Sequence, residues 1–475
     1  MYDERGAHSD GDPYEPDDFA PNPEEDSDGD SAEASPNPYH PRVDGDYSDA
    51  PFAGRTVAFA RLHQQLVDNT TVGATVFMGR RHVGKTALLQ RFGKVFDENF
   101  IGVIIPLEFT LLKSESDWLL TLADAMTLVL ARRGFMLTRL PQPPEEDDQI
   151  RHWLTDRFLP EVFTTIRPHR RLVLLLDDAD EIADSVAHGK LPEDTFTYLY
   201  GLINKHRQLS MALTVGADHE TRLHVMNPLV TPARVLRLAN LTADESRQLL
   251  QEPAHGLYAV GDDATELVYR ASGGEPLLLQ RFGFHLYRRW QSISDLNSDT
   301  LNIATTDDVK TMLSVIYVES EEEFKTTWEQ LNGNERLVMM AISNLLYNDP
   351  LRPITNADIS AWLVETDYLM DMTAINSARR GLEYREIIHH VGDGVQLSAG
   401  LMQTWLLENG RLDGKITNAD GMPAPSFLRG RVSWLVALVV LLVFVSIILV
   451  LSLNNVRTPA GGASNPVATV TLAGQ

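Results

Sequence analysis

The 475-residue sequence carries a formal net charge of −25 and contains no cysteine. Its length allows about three domains, and the lack of cysteine excludes disulfides, thiolate metal sites and cysteine nucleophiles while permitting a reducing compartment. The charge is uneven: the first 50 residues hold 16 Asp and Glu against two Arg.

Such a segment has too little apolar surface to offset its ordering entropy, so residues 1–50 are expected to form a disordered acidic tail. It also disfavours nucleic acid as a partner. No secretory signal pattern is read at the N-terminal end. Folded structure is expected to begin at Pro51 to Arg61 (PFAGRTVAFAR), where Gly54 and Arg55 of a Phe-x-Gly-Arg element are candidates for laying the chain over a base or ribose.

Next comes a strand-like run, Ala74 to Met78, followed by GRRHVGKT and then a helix-like run from Ala87 to Phe92. The octet fits the phosphate-loop pattern G-x-x-x-x-G-K-[ST] at every fixed position, in the strand-to-helix setting that the pattern requires. Its residues Gly79, Arg80, Arg81, His82, Val83, Gly84, Lys85 and Thr86 are therefore the candidate phosphate cradle. Backbone N–H groups and the helix N-terminus would hold the phosphates of ATP. Lys85 would neutralise the β- and γ-phosphates, and the Thr86 hydroxyl would ligate Mg2+.

Ile101 to Leu107 reads as a second buried strand, followed by helical patterns at 115–133 and 149–166. Arg171 to Asp178 (RLVLLLDD) has the all-apolar character of a central parallel strand and ends in two carboxylates, at the edge where ligands of such sheets bind. Asp177 is the candidate magnesium ligand, either directly or through the metal's bound water. Asp178 is the candidate group for orienting or deprotonating the attacking water, with Glu181 as fallback. Leu209 to Val215 and Arg234 to Leu238 read as further strands, completing a parallel α/β core with an inserted strand over residues 51–240.

From Thr242 the pattern turns helical, interrupted by SGGEP at Ser272 to Pro276, and residues 241–295 are read as a helical lid. Further helices and two β-like pieces around a Gly-Asp-Gly turn suggest a winged-helix domain over 296–411, followed by a polar linker at 412–432. Trp434 to Leu453 is an uncharged run of 20 residues, 16 of them Leu, Ile, Val or Phe. At roughly −0.3 to −0.6 kcal/mol each, these favour membrane insertion by about 5 to 10 kcal/mol. A single transmembrane helix is expected at 433–453, with a short extracytoplasmic tail at 454–475. Arg429 and Arg431 place the large N-terminal part in the cytoplasm by the positive-inside rule, so the expected location is the inner cell membrane.

The pieces FAGR, GRRHVGKTALL, LLLDDAD, LTVGAD, LANLTADE and SGGEPLLLQ together resemble the STAND class of signal-transduction ATPases and the related archaeal-type ATPases, from about Phe52 to Glu408. The resemblance implies an AAA-like ATPase core, a lid and a winged helix working as a nucleotide-dependent switch. It also implies that Pro276 of the lid's Gly-x-Pro contacts the adenine side of the nucleotide, and that Thr214 is a polar sensor of the γ-phosphate. Two features depart from the pattern: Asp-Asp stands where many relatives carry Asp-Glu, and a membrane helix replaces the usual repeat array. Arg222, Arg234 and Arg281 are further candidates for stabilising phosphate charge.

The function read from the sequence is a membrane-anchored ATP-binding and slowly hydrolysing switch with a protein partner. Nucleotide-dependent self-association is left open. The alternatives are an initiator-like DNA-binding ATPase, against which the acidic run Glu319 to Glu323 argues, and a nucleotide-binding scaffold without turnover.

Overall fold

A computed structural model describes residues 36–41, 46–68, 72–96, 98–107, 112–136, 139–217, 223–294 and 303–410. Its centre is a parallel sheet of five strands: β1 (Thr75–Gly79), β2 (Phe100–Pro106), β3 (Arg171–Asp177), β4 (Leu209–Gly216) and β5 (Val235–Arg237), in the order β2-β3-β4-β1-β5. The expected strands are all present. The strand inserted between β1 and the acidic strand is β4, and β2 lies at the sheet edge.

Strand periodicity sends alternate side chains to opposite faces. Leu172, Leu174 and Leu176 of β3 join one apolar cluster with Trp118, Leu122 and Phe196, whereas Val173 and Leu175 join another with Leu62, Leu88 and Phe92. Both faces are thus covered by helices, which explains the apolar run that made β3 legible. Register pairs Gly79 with Gly216 and Leu176 with Leu213, so β1, β3 and β4 end side by side.

After the sheet, Thr242 caps helix Ala243–Gln251 through a capping box with Glu245, as the sequence led us to expect. Helices Asp262–Ser272 and Pro276–Ser294 follow, with a short parallel pair, β6 (Ala259–Val260) and β7 (Ile303–Ala304). Beyond them helices Gly333–Leu345, Asn356–Glu365 and Met372–Tyr384 lead into an antiparallel hairpin of β8 (Ile388–Val391) and β9 (Gly394–Leu397). Ile354 bridges to Val395 beside it.

One apolar cluster runs from Leu241 through Phe282, Ile316 and Val338 to Leu406. The division at residue 295 therefore crosses shared packing and is not a seam in it.

The N-terminal boundary needs correction. Tyr39 and Ala50, inside the expected disordered tail, are buried, and Tyr39 belongs to the cluster just described. A composition average over 50 residues hides a single aromatic anchor, whose burial holds its neighbours in place. Residues 1–35, the linker 412–432, the expected span 433–453 and the tail 454–475 lie outside the described residues. Among the described residues, no helix is long and apolar enough to cross a membrane.

Candidate nucleotide site

The phosphate loop leaves β1 at the C-terminal edge of the sheet. His82 (φ 62°) and Gly84 (φ 89°) are both left-handed, a conformation that glycine adopts freely and histidine only under constraint. Turns of this kind bring successive backbone N–H groups to face one concavity. Lys85, at the start of helix Lys85–Gln90, folds back over the loop and donates to the carbonyls of Gly79 (3.2 Å) and Arg80 (3.0 Å). Its ammonium is buried, which pushes its pKa down, with Asp178, Asp180 and Asp177 opposing that shift. A buried cation with carboxylates on one side and a donor-lined loop on the other is a site for an anion accompanied by a divalent metal.

A cleft of about 690 Å3 opens above the loop. Arg81, His82, Val83, Gly84, Lys85 and Thr86 line its floor. Asp178, Asp180, Glu181 and Asp184 form an acidic wall, and Pro276 with Leu277 forms the side facing the lid. The volume lies within the roughly 300–1,000 Å3 of small-molecule sites.

Behind the acidic wall sits Thr214, fully buried on β4. Its hydroxyl donates to Asp177 Oδ1 at 2.6 Å and accepts from the Asp178 amide at 2.8 Å. Thr214 is therefore not on the cleft wall where a γ-phosphate sensor would stand; both hydrogen bonds of its hydroxyl go to the acidic turn. Those bonds hold Asp178 in a left-handed conformation (φ 54°) that turns its side chain toward the cleft. Asp177 is buried beside it. Among the described residues no group of three or more His, Asp or Glu forms a metal cage. Thr86 lines the cleft and the buried Asp177 does not, so Thr86 suits direct ligation of Mg2+, which takes one or two protein ligands and completes its shell with phosphate and water.

The Phe-Ala-Gly-Arg element reaches the same place. The Arg55 guanidinium donates to the carbonyls of Val83 (2.7 Å) and Ala239 (2.6 Å), bolting the element to the phosphate loop and to the start of the lid. Burial lowers the Arg55 pKa, while Glu245 and Glu386 favour the charge. Gly54 is not on the cleft surface; a Cβ there would meet the Glu245 carboxylate at 2.1 Å. Arg80 also points elsewhere: it pairs with Glu275 of the lid at 3.3 Å, and His82 Nδ1 lies 3.8 Å from the same carboxylate.

The SGGEP turn brings the lid to the loop. Gly273 (φ 62°) and Gly274 (φ 72°) are left-handed, and a Cβ on Gly274 would sit 2.1 Å from the Leu241 carbonyl. Only glycine permits that approach, which in turn sets Pro276 on the cleft.

Two of the three candidate arginines are not brought to the cleft. Arg281 is buried and donates to Ser320 and Glu323, while Arg234 donates to the Gly73 carbonyl, at the opposite end of β1. Arg222 lies outside the described residues. Sequence reasoning missed Asp180 and Asp184, whose i, i+4 spacing just after the acidic strand was the available signal, and it missed His40, Tyr47 and Gln280, for which no local pattern exists.

No family model matches the chain, and no curated protein matches it. Among solved structures it is similar to a Walker-type ATPase of Pyrococcus abyssi at 14% identity, with a TM-score of 0.50, over 75% of this chain and 96% of that one. It also aligns with the Aeropyrum pernix Orc1 protein in complex with DNA (14% identity, TM-score 0.36, 77% of this chain and 95% of that one). A third alignment is with Thermotoga maritima RuvB (13% identity, TM-score 0.35, 73% of this chain and 92% of that one). The sheet order, the loop and the likeness to the Pyrococcus ATPase give this chain the fold of a phosphate-loop ATPase.

Proposed function

We propose that the chain is a membrane-anchored, Mg-ATP-dependent switch of STAND type. The observation that carries this reading is one cleft bounded at once by the phosphate loop, the acidic edge of β3 and the lid residue Pro276. A triphosphate on Gly79–Thr86 would touch all three, so its binding free energy would depend on where the lid sits. Bound Mg2+ supplies charge neutralisation at the β- and γ-phosphates. Lys85 would neutralise the same oxygens, Thr86 would hold the metal from the cleft floor and the buried Asp177 from behind the acidic wall. Asp178 accepts the proton of the attacking water, with Glu181 on the same wall as the second candidate. A carboxylate one methylene shorter than Glu suits slow turnover, as a switch needs.

The C-terminal helices and hairpin are the proposed winged helix and the moving part. The Asn240 amide donates to Glu386, and Arg237 donates to the Tyr384 carbonyl, so the end of helix Met372–Tyr384 meets the strand that leads into the lid. Much of the basic charge on this part is engaged internally. Arg379 bonds Glu383 and Asn356, Arg385 bonds Glu335, and Arg352 bonds Asp358. That favours a protein partner over the initiator-like DNA reading, since DNA binding requires cations free for phosphates. The uncharged run at 434–453 supports the anchor, and Arg429 and Arg431 before it support a cytoplasmic ATPase part.

ATP turnover by the full chain and by Asp178→Asn tests the switch against a scaffold without turnover. Loss of turnover with retained binding is expected; no turnover in either protein would leave a scaffold. Binding to duplex DNA at moderate salt would instead favour the initiator reading.

A further inference from the structure

One wall of the nucleotide cleft comes from residues that precede the Phe-Ala-Gly-Arg element. Tyr39 is 2% exposed, and its hydroxyl donates to the Leu250 carbonyl of the lid. Its ring packs against Gly283 of helix Pro276–Ser294, so closely that a Cβ there would meet ring carbons at 2.3 Å. Burial pushes the phenol pKa up, which keeps it a neutral donor.

The next contacts come from a single lid side chain. Gln280, 8% exposed, accepts from the His40 amide at 3.1 Å through Oε1 and donates to the Pro51 carbonyl at 3.1 Å through Nε2. It thus holds two points of the chain eleven residues apart. Between them the chain touches the core: the Tyr47 amide donates to Gln90, Arg91 donates to the Ser48 carbonyl at 3.3 Å, and Lys94 pairs with Asp49. Gln90 ends the helix that Lys85 begins. His40, Tyr47, Ala50, Pro51 and Phe52 face the cleft.

We propose that Tyr39 and Gln280 are positioning residues of the nucleotide site, fixing the wall at Ala50–Phe52 against the lid and so setting how long a nucleotide is retained. This rests on the nucleotide reading of the cleft. Neither residue needs to reach the phosphates. Their loss acts on release, because the wall covers a nucleotide already seated on the loop, and leaves capture by Lys85 and the loop amides nearly unchanged.

The test uses the full chain and a fluorescent ATP analogue in stopped flow. Tyr39→Ala and Gln280→Ala should each speed release about tenfold, while association stays within about twofold. Tyr39→Phe, which keeps the ring on Gly283, should release at close to the original rate.

A second readout needs no nucleotide. Because the chain has no cysteine, Ala50→Cys introduces a single thiol at a wall position that is 6% exposed. Its maleimide labelling should be about tenfold faster in the Tyr39→Ala background, by the same factor that governs release. Equal labelling and equal release with and without Tyr39 would overturn the proposal. A thiol protected by Tyr39 in a protein that binds no nucleotide would overturn the nucleotide reading while upholding the hold of Tyr39 on the wall.

Discussion

Thr214 and Asp177, on adjacent strands, are joined by a 2.6 Å hydrogen bond from hydroxyl to carboxylate, and the same hydroxyl receives the Asp178 amide at 2.8 Å. One buried side chain thereby sets both acids of the site. Thr214→Val keeps the shape and removes the hydroxyl, and with it the bonds to the Asp178 amide and to the Asp177 carboxylate. We expect a loss of about 1–3 kcal/mol in stability and a larger fall in ATP turnover than in ATP binding. Thr214→Ser should restore both. Denaturant unfolding beside turnover checks this; a Val variant with unaltered turnover would show that the acids are set by something else.

Stability should also depend on pH through His82. Burial holds its imidazole below the usual value, with Glu275 and Glu323 opposing that shift. The folded protein therefore binds this proton less readily than the unfolded chain. The resulting stability is complete above the unfolded pKa of about 6.5 and is lost as the pH falls from there through the lower folded value. His82→Gln should reduce the difference in denaturation midpoint between pH 7.5 and pH 5. An identical difference in both proteins would place His82 outside this effect.

How far these features can be read from sequence depends on how local they are. GRRHVGKT was legible because it meets a backbone requirement within eight residues, and β3 because a doubly covered strand must be apolar throughout. The capping box at Thr242 and Glu245 is equally local. Tyr39 and Gln280 are separated by about 240 residues, and composition around Tyr39 argued for disorder; only packing against Gly283 reveals its role. Thr214 was singled out as a γ-phosphate sensor, but its hydroxyl faces the acidic turn because β4 lies beside β3, and that is a matter of topology.

Arg237 and Asn240, at the end of the sheet, both bond to the C-terminal part. Arg237 stacks on the Tyr384 ring and donates to the Tyr384 carbonyl, and Glu386 accepts from Asn240. Arg237→Ala should loosen this contact by about 1–2 kcal/mol, from one exposed cation–π pair and one hydrogen bond. Hydrogen exchange should then quicken in helix Met372–Tyr384 and in β8 and β9. Unchanged exchange there would show that other contacts hold the two parts without it.

Membrane attachment should depend on the run beginning at Trp434. The full chain is expected to remain in the pellet after alkaline carbonate washing, and a chain ending at Val432 is expected in the supernatant, because about 20 apolar residues anchor effectively irreversibly. Carbonate release of the full chain would remove the anchor from the account.

Whether the cleft above Gly79–Thr86 holds Mg-ATP is decided by equilibrium binding to the full chain with Lys85→Ala alongside. We predict saturable binding by the natural chain and a loss of about 100-fold or more in the variant, corresponding to about 2.7 kcal/mol or more. Native-like melting of the variant shows that the fold is kept. A folded Lys85→Ala protein that binds Mg-ATP as tightly as the natural chain would contradict the account.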